Sequence, residues 1–241
     1  MAFLRRFRGK ILRGGLAALL TLSLAACVTT SFQTTTELKG GDEKHRIVLM
    51  PVDIQLTEIE ASGMQVPKAE WTRKARDFVF LSLRNRFEAI NAEIVLAEET
   101  ATVSETDWRE VQLVKLHAAV GNAIRTFQYE GPFKLPTKKG SFDWTLGPDA
   151  GHLEEKYDAD YALFVHLRDS YVSGGRVGVI IVAAMFGVGL QGGIQTGFAS
   201  LIDLQTGEVV WFNRLISGSG DLRTAEAADK SVTSLLENFP K

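Results

Sequence analysis

The chain has 241 residues, with 27 Lys and Arg against 29 Asp and Glu, one cysteine, and 45% hydrophobic residues. A folded part of about 200 residues buries roughly 70% of its unfolded surface, so a single core suffices without disulfides. Near-neutral charge with a lone cysteine excludes a disulfide scaffold, a Cys-based metal site and a strongly basic nucleic-acid binder.

The first 26 residues carry Arg5, Arg6, Arg8, Lys10 and Arg13, then the short apolar run Gly14 to Ala26. A cationic start, a short apolar core and small residues before a cut are the parts of a secretory signal. The run is too short to cross a hydrocarbon core, which needs about 20 residues. Leu24-Ala25-Ala26-Cys27 looks like a bacterial lipobox with the Cys27 thiol as lipid acceptor. Arg5-Arg6 fits a twin-arginine signal poorly and is read as part of the basic start. Removal of residues 1–26 takes five basic residues and no acids. That leaves 22 basic against 29 acidic, a net charge near −7. Such a protein does not grip nucleic acid or anionic lipid through net charge.

Val28 to Lys44 is polar and aperiodic, so residues 27–44 read as a flexible tether and the folded domain as 45–241. Ile47 to Leu56 reads as a first strand. Pro67 opens a helix on which Val79, Leu83, Phe87 and Ile90 form a stripe. Ala92 to Ala97 is a second strand. Ser104 to Phe127 is a second helix, with Ser104 and Asp107 spaced like a capping box. It has two apolar stripes, Leu113, Leu116, Val120, Ile124 and Phe127 on one side, and Val111, Val114 and Ala118 on another. A helix apolar on two sides is sandwiched in the fold or buried against a partner.

Gly131 to Gly151 is a long loop carrying Phe133, Phe142 and Trp144, and loops of this length are uncommon unless functional or poorly ordered. A short helix at Leu153 to Tyr157 leads into a strand from Tyr161 to Tyr171, with Leu163, Val165 and Leu167 on one face and His166 and Arg168 on the other. Gln195 to Leu204 and Glu208 to Ser217 are strands joined by Gln205-Thr206-Gly207, a three-residue hairpin closure. Thr224 to Phe239 is a terminal helix stopped by Pro240. The order predicts a single α/β domain: a mixed sheet of about five strands with a C-terminal hairpin, flanked by three to four helices.

Val177 to Leu190 is 14 residues without a charge or a clean alternation. It reads as a helix packed on the sheet, as paired buried strands, or as a segment meeting lipid or a neighbouring subunit. Gly174/Gly178 and Gly189/Gly193 have small-xxx-small spacing, a weak signal outside a membrane span. Gly187, Gly189 and Gly192 match GxGxxG, but a strand follows and the nearest acid, Asp203, comes 11 residues later. The dinucleotide fingerprint needs a preceding strand, a helix opening at the last glycine and an acid about 20 residues on. No cofactor is expected.

Catalytic patterns are missing as well. His45, His117, His152 and His166 are scattered, and neither a Gly-x-Ser-x-Gly elbow nor a GxxxxGK[ST] loop occurs. Asp158, Asp160, Asp169, Asp203 and Asp221 could supply a carboxylate pair, although acids at strand ends and turns usually cap or meet solvent. No enzymatic activity and no metal is expected.

From Asp158 onward the stretches DADYALFVHLRDSYVSGGR and GFASLIDLQTGEVVWFNRLISGSGDLR resemble a family of bacterial envelope lipoproteins of unassigned function. Their folded part is like that of the curli-secretion channel lipoprotein, an anticodon-binding-domain-like fold, and of periplasmic polysaccharide-export lipoproteins. The shared elements are the lipobox, the strand ending near Asp169, the Gly-rich stretch, Ala199 to Asp203, Thr206-Gly207 and Val210-Trp211. The resemblance implies a non-catalytic scaffold or export accessory that contacts envelope proteins. It would be anchored in the outer membrane by acyl chains on Cys27 and face the periplasm, with Val28 after the lipid site fitting outer-membrane sorting. Some members form rings, so a homo-oligomer is compatible with the pattern. The channel formers need long alternating membrane hairpins, which Val177 to Leu190 does not provide.

The candidate contact surface is therefore Val177, Met185, Gly189 and Gly193 together with Phe142 and Trp144 of the long loop. The alternative function is a periplasmic ligand- or peptidoglycan-binding module, with Phe133, Phe142 and Trp144 as its platform.

Overall fold

The computed structural model describes residues 28–34, 38, 45–89, 93–97, 105–129, 133, 135–138 and 140–240. The signal segment, Cys27 and the Ser104–Asp107 capping box lie outside the described residues or their described side chains. The strands are β1 (Val28–Thr34), β2 (Arg46–Leu49), β3 (Asp53–Ile59), β4 (Gln65–Pro67), β5 (Glu93–Leu96), β6 (Tyr161–Val172), β7 (Gln195–Asp203) and β8 (Val209–Ser217). The helices are α1 (Ala69–Ala89), α2 (Glu105–Phe127), α3 (Gly151–Tyr157), α4 (Gly174–Met185) and α5 (Ala225–Leu235).

All eight strands form one mixed sheet in the order β1-β8-β7-β6-β2-β5, with β3 alongside the second half of β6 and β4 on β3. The α/β class and the C-terminal hairpin match expectation, but the sheet has eight described strands rather than about five. Three differences account for this. The single strand expected at 47–56 is two, because Pro51 cannot donate to a ladder; β2 pairs with the start of β6 and β3 with its end. Pro67 ends the short strand β4 opposite Thr57 instead of opening α1, which starts at Ala69.

The third difference is at the tether. Residues 28–34 are an edge strand antiparallel to β8, and Leu38 is buried in the core. The strand has no apolar alternation to announce it. Its hold is polar: Arg214 Nε donates to Ser31 Oγ at 2.5 Å, Tyr129 Oη donates to Ser31 O at 3.0 Å, and the guanidinium lies 3.8 Å from the Tyr129 ring centroid.

The pleat sends alternate residues of β6 into two cores. Leu163, Val165 and Leu167 meet α1 and α5 through Val79, Leu83, Phe87, Val232 and Leu235, with Trp211 buried among them. Ala162 and Phe164 meet the α2 side with Phe198, Ile202, Phe212, Leu113 and Ile124. The stripe expected on α1 is the one that docks, except Ile90, which is outside the described residues.

Helix α2 departs from its two-stripe pattern. Among its described positions the buried ones are Glu110, Leu113, His117, Gly121 and Ile124, continued by Gln128 just past its end, a single face, while Leu116 is exposed. Three polar residues and a glycine lie on that face, so hydropathy alone misplaced its centre.

The β7–β8 turn follows expectation. Gly207 has φ +75°, Asp203 Oδ1 accepts from Thr206 N at 3.0 Å, and a Cβ on Gly207 would overlap the Gly147 carbonyl. At the end of α5, Asn213 Nδ2 donates to the carbonyls of Leu235 (2.9 Å), Ser234 (3.0 Å) and Glu237 (3.4 Å) from a fully buried site. Leu235 is in the last turn, whose carbonyls a helix terminus leaves without intrahelical partners, whereas Ser234 O also accepts from Glu237 N at 3.3 Å. Asn213→Leu is expected to lower stability by about 1–3 kcal/mol in urea unfolding, by stranding buried acceptors.

Candidate functional site

The four strands β1, β8, β7 and β6 end together. Val28 is opposite Ser217, Ser217 opposite Gln195, and Gln195 opposite Asp169. From that row β6 continues to Val172 and turns directly into α4. The first described residue after Cys27 thus lies at the same end of the sheet as α4. Three strand spacings separate β1 from β6, about 14 Å.

Helix α4 starts at Ser173, whose Oγ accepts from Arg176 N at 3.1 Å, and its C-terminal end is marked by Gly187 at φ +76°. No residue of α4 is buried. Val177, Val179, Ile181, Val182, Met185, Phe186 and Val188 are exposed, with Met185 at 80% and Phe186 at 81%. This overturns packing within the fold for Val177 to Leu190. The segment is helical as far as Met185, but the domain does not cover it. No helix among the described residues is long and apolar enough to cross a membrane.

The glycines behave differently from their spacing. A Cβ on Gly174, Gly178, Gly187, Gly189 or Gly192 would meet nothing within 4 Å, so these glycines serve no close approach here. The GxGxxG match falls after α4 and before β7, which is the wrong end of a helix for a phosphate. Gly193 alone is required sterically, because a Cβ there would overlap the Ser170 carbonyl where β6 and β7 part.

Near the end of β6, Asp169 ties the strand ends together. Its Oδ2 accepts from the Tyr171 hydroxyl, from Leu222 N at 3.1 Å and from Gln195 Nε2 at 3.3 Å. Burial pushes the Asp169 carboxyl up to about 6, against the pull of the Tyr171 hydrogen bond. Burial beside this carboxylate drives the Tyr171 hydroxyl far above its ordinary range. Arg223 lies 3.8 Å from the Tyr171 ring centroid and is held by Asp221 at 2.8 Å. A cavity of about 190 Å³ opens here, lined by Ser170, Tyr171, Gly193, Gln195, Gly218 and Gly220 among others.

The other aspartates each serve local structure. Asp158 pairs with Arg46 at 2.6 Å, Asp160 accepts from Arg46 N at 2.9 Å, and Asp203 closes the hairpin. On the α2 face, His117 Nε2 lies 2.8 Å from Ser200 Oγ, and burial lowers its pKa to about 3. His166 Nδ1 lies 2.9 Å from Asp53 Oδ2. Burial pushes the Asp53 carboxyl up, but the His166 hydrogen bond and the Arg168 charge outweigh it and hold it below the usual range. Among the described residues no three His, Cys, Asp or Glu side chains gather as metal ligands.

The expected contact residues separate into two groups. Val177, Met185 and Gly189 share the exposed segment, and Gly193 follows it, half-buried where β6 and β7 part. Phe142 and Trp144 sit by the β7–β8 turn at the opposite end of the sheet, where Trp144 O accepts from Val209 N at 2.9 Å. Both rings pack against the α2-side core, and Trp144 Nε1 donates to Gln128 Oε1 at 3.0 Å. They cover the core rather than form a platform, and only Phe133 of the three aromatics stands out, at 67% exposure. Sequence reading did not single out Phe186, Ile181 and Val182 from their stretch, and it missed Met64 at the tip of the β3–β4 hairpin. The only signal for the first three was unbroken hydrophobicity, and Met64, between Gly63 and Gln65, had none.

No family model and no curated protein matches the chain. Among solved structures it is similar to a PelC dodecamer from Paraburkholderia phytofirmans, at TM-score 0.43 and 12% identity, covering 89% of this chain and 98% of that one. A second PelC dodecamer structure from the same organism, of a point variant, is similar at TM-score 0.40 and 11% identity, covering 86% and 96%.

Proposed function

We propose that this chain is an outer-membrane lipoprotein whose periplasmic α/β domain supports assembly or export in the envelope through contacts, without catalysis. The observation that carries the reading is the bare apolar helix α4 at the end of the sheet where β1 begins, directly after the lipobox Cys27. A domain that buries Trp211, Phe198 and Leu163 almost completely has no shortage of core, yet it leaves α4 uncovered. Exposed apolar surface on this scale marks a site that meets protein or membrane. The anchor sets the geometry, since acyl chains on Cys27 would bring this end of the domain to the membrane.

In this reading Cys27→Ser leaves the precursor unprocessed and moves the protein out of the outer-membrane fraction. Cell fractionation with intact mass measurement checks it. A Cys27→Ser protein that is fully processed and still fractionates with the outer membrane sinks the anchor. Native mass of the acylated protein in mild detergent then separates a ring of copies from a tethered adaptor.

A further inference from the structure

We propose that α4 and the turn after it, Val177 to Leu190, lie within the lipid leaflet itself, so that the occupant of this face is phospholipid acyl chain rather than protein. The inference rests on the lipoprotein reading for its orientation and goes beyond it by naming what covers the helix.

No charged residue occurs between Arg176 and Asp203, and every side chain from Val177 to Leu190 is apolar or absent. A protein interface surrounds its apolar centre with a polar rim and about ten hydrogen bonds that set register. This segment has no side-chain donor or acceptor with which to set one.

Val177, Val179, Ile180, Ile181 and Val182 are β-branched and Gly178 sits among them, all poor helix formers in water. Twelve residues are marginal even for good formers. In hydrocarbon the balance reverses, because the backbone must satisfy its own hydrogen bonds and a helix does so.

Placement and length complete the case. The chain leaving β1 toward Cys27 emerges at this end of the sheet, so acyl chains and α4 reach the same leaflet. At 1.5 Å per residue α4 is about 18 Å long, short of the roughly 30 Å hydrocarbon core, so it embeds in one leaflet without spanning. Exposed Met64 lies on the hairpin whose Gly63 adjoins Arg176, and it adds apolar surface beside the helix. With a net charge near −7 after processing, the attraction is apolar and not electrostatic.

Acylation uses the only cysteine, so Val182→Cys creates a unique thiol for an environment-sensitive fluorophore on the mature acylated protein. The protein is reconstituted in phosphatidylcholine vesicles with and without acyl-chain-brominated lipid. Bromine is expected to cut emission of the Val182 probe by about half, as for a helix ~5–10 Å into the headgroup–acyl boundary. The same probe on Ser141→Cys, at the far end of the sheet, stays unquenched. Replacing a third of the lipid with phosphatidylglycerol leaves the quenching unchanged.

A Val182 probe that stays water-exposed on anchored protein overturns the inference. So does a blue-shifted probe that bromine does not reach and that depends on protein concentration, which would mean a second copy covers α4. Intact mass reads acylation separately. If intact mass shows no acyl chains, the probe is placed in a Cys27→Ser background to keep one thiol, and a Val182 probe still quenched there keeps this inference and overturns only the lipoprotein reading.

Discussion

Phe198→Ala is expected to lower the unfolding free energy by about 3–5 kcal/mol, measured by denaturant unfolding, because the ring is fully buried at the centre of the α2-side core. It stacks on His166 at 4.6 Å and on Phe212 at 5.4 Å, and meets His117 at 5.2 Å. Its edge fills the space over Gly121, where any Cβ would overlap the ring. Gly121 is therefore in α2 despite the cost of glycine in a helix interior, because α2 must approach the sheet this closely.

Gly121→Ala alone is then expected to cost about 1–3 kcal/mol through overpacking. In a Phe198→Ala background the overlap is gone, and the same change should instead stabilise by about 1 kcal/mol through helix propensity. A double-mutant cycle reads this sign reversal directly. Additive effects of the two substitutions would show that helix and sheet do not meet at Phe198.

Two buried groups are expected to give opposing pH dependences of comparable size. His117 titrates at about 3 when folded, against an ordinary 6.5, because burial disfavours the charged ring. Between these values the unfolded chain binds a proton and the folded one does not. Stability from this site is therefore present above about pH 6.5 and is lost as pH falls toward 3, by about 4–5 kcal/mol in full. Asp169 has the opposite sign. Its carboxyl is raised from 3.8 to about 6, so between these values the folded state holds the extra proton. Its contribution is complete below pH 3.8 and is lost as pH rises through about 6, by about 3 kcal/mol.

Across the shared window the two slopes oppose each other, and the wild-type profile should be nearly flat between about pH 4 and 6. His117→Leu unmasks Asp169, so stability of that variant falls as pH rises through this range. Asp169→Asn unmasks His117, so stability falls as pH drops. Below the window Asp53 and Asp221, both held below the ordinary carboxylate range, add further acid loss. Urea unfolding at half-unit pH steps checks all three proteins, and parallel profiles for the two variants would sink the assignment.

Local features were legible in the chain. Apolar spacing on α1 and α5, the alternation of Leu163, Val165 and Leu167 along β6, and the Gln205-Thr206-Gly207 turn each depend on residues a few positions apart. The α/β order followed from them, and all stand in the structure. Tertiary structure decided whatever depended on a distant partner. β1 reads as tether because Val28–Thr34 has no apolar period, and it becomes a strand through β8 and through an Arg214–Ser31 contact 183 residues apart in sequence. The buried face of α2 is centred on His117 and Gly121, which only Ser200 and Phe198, about 80 residues on, make sense of. Phe142 and Trp144 look like a platform until the second core is assembled beneath them. For Val177 to Leu190, hydrophobicity alone pointed first to burial in the fold and left contact outside it open. The domain closed its core without this helix, because β6 passes its end before α4 begins, and that placement turned an apolar segment into a surface.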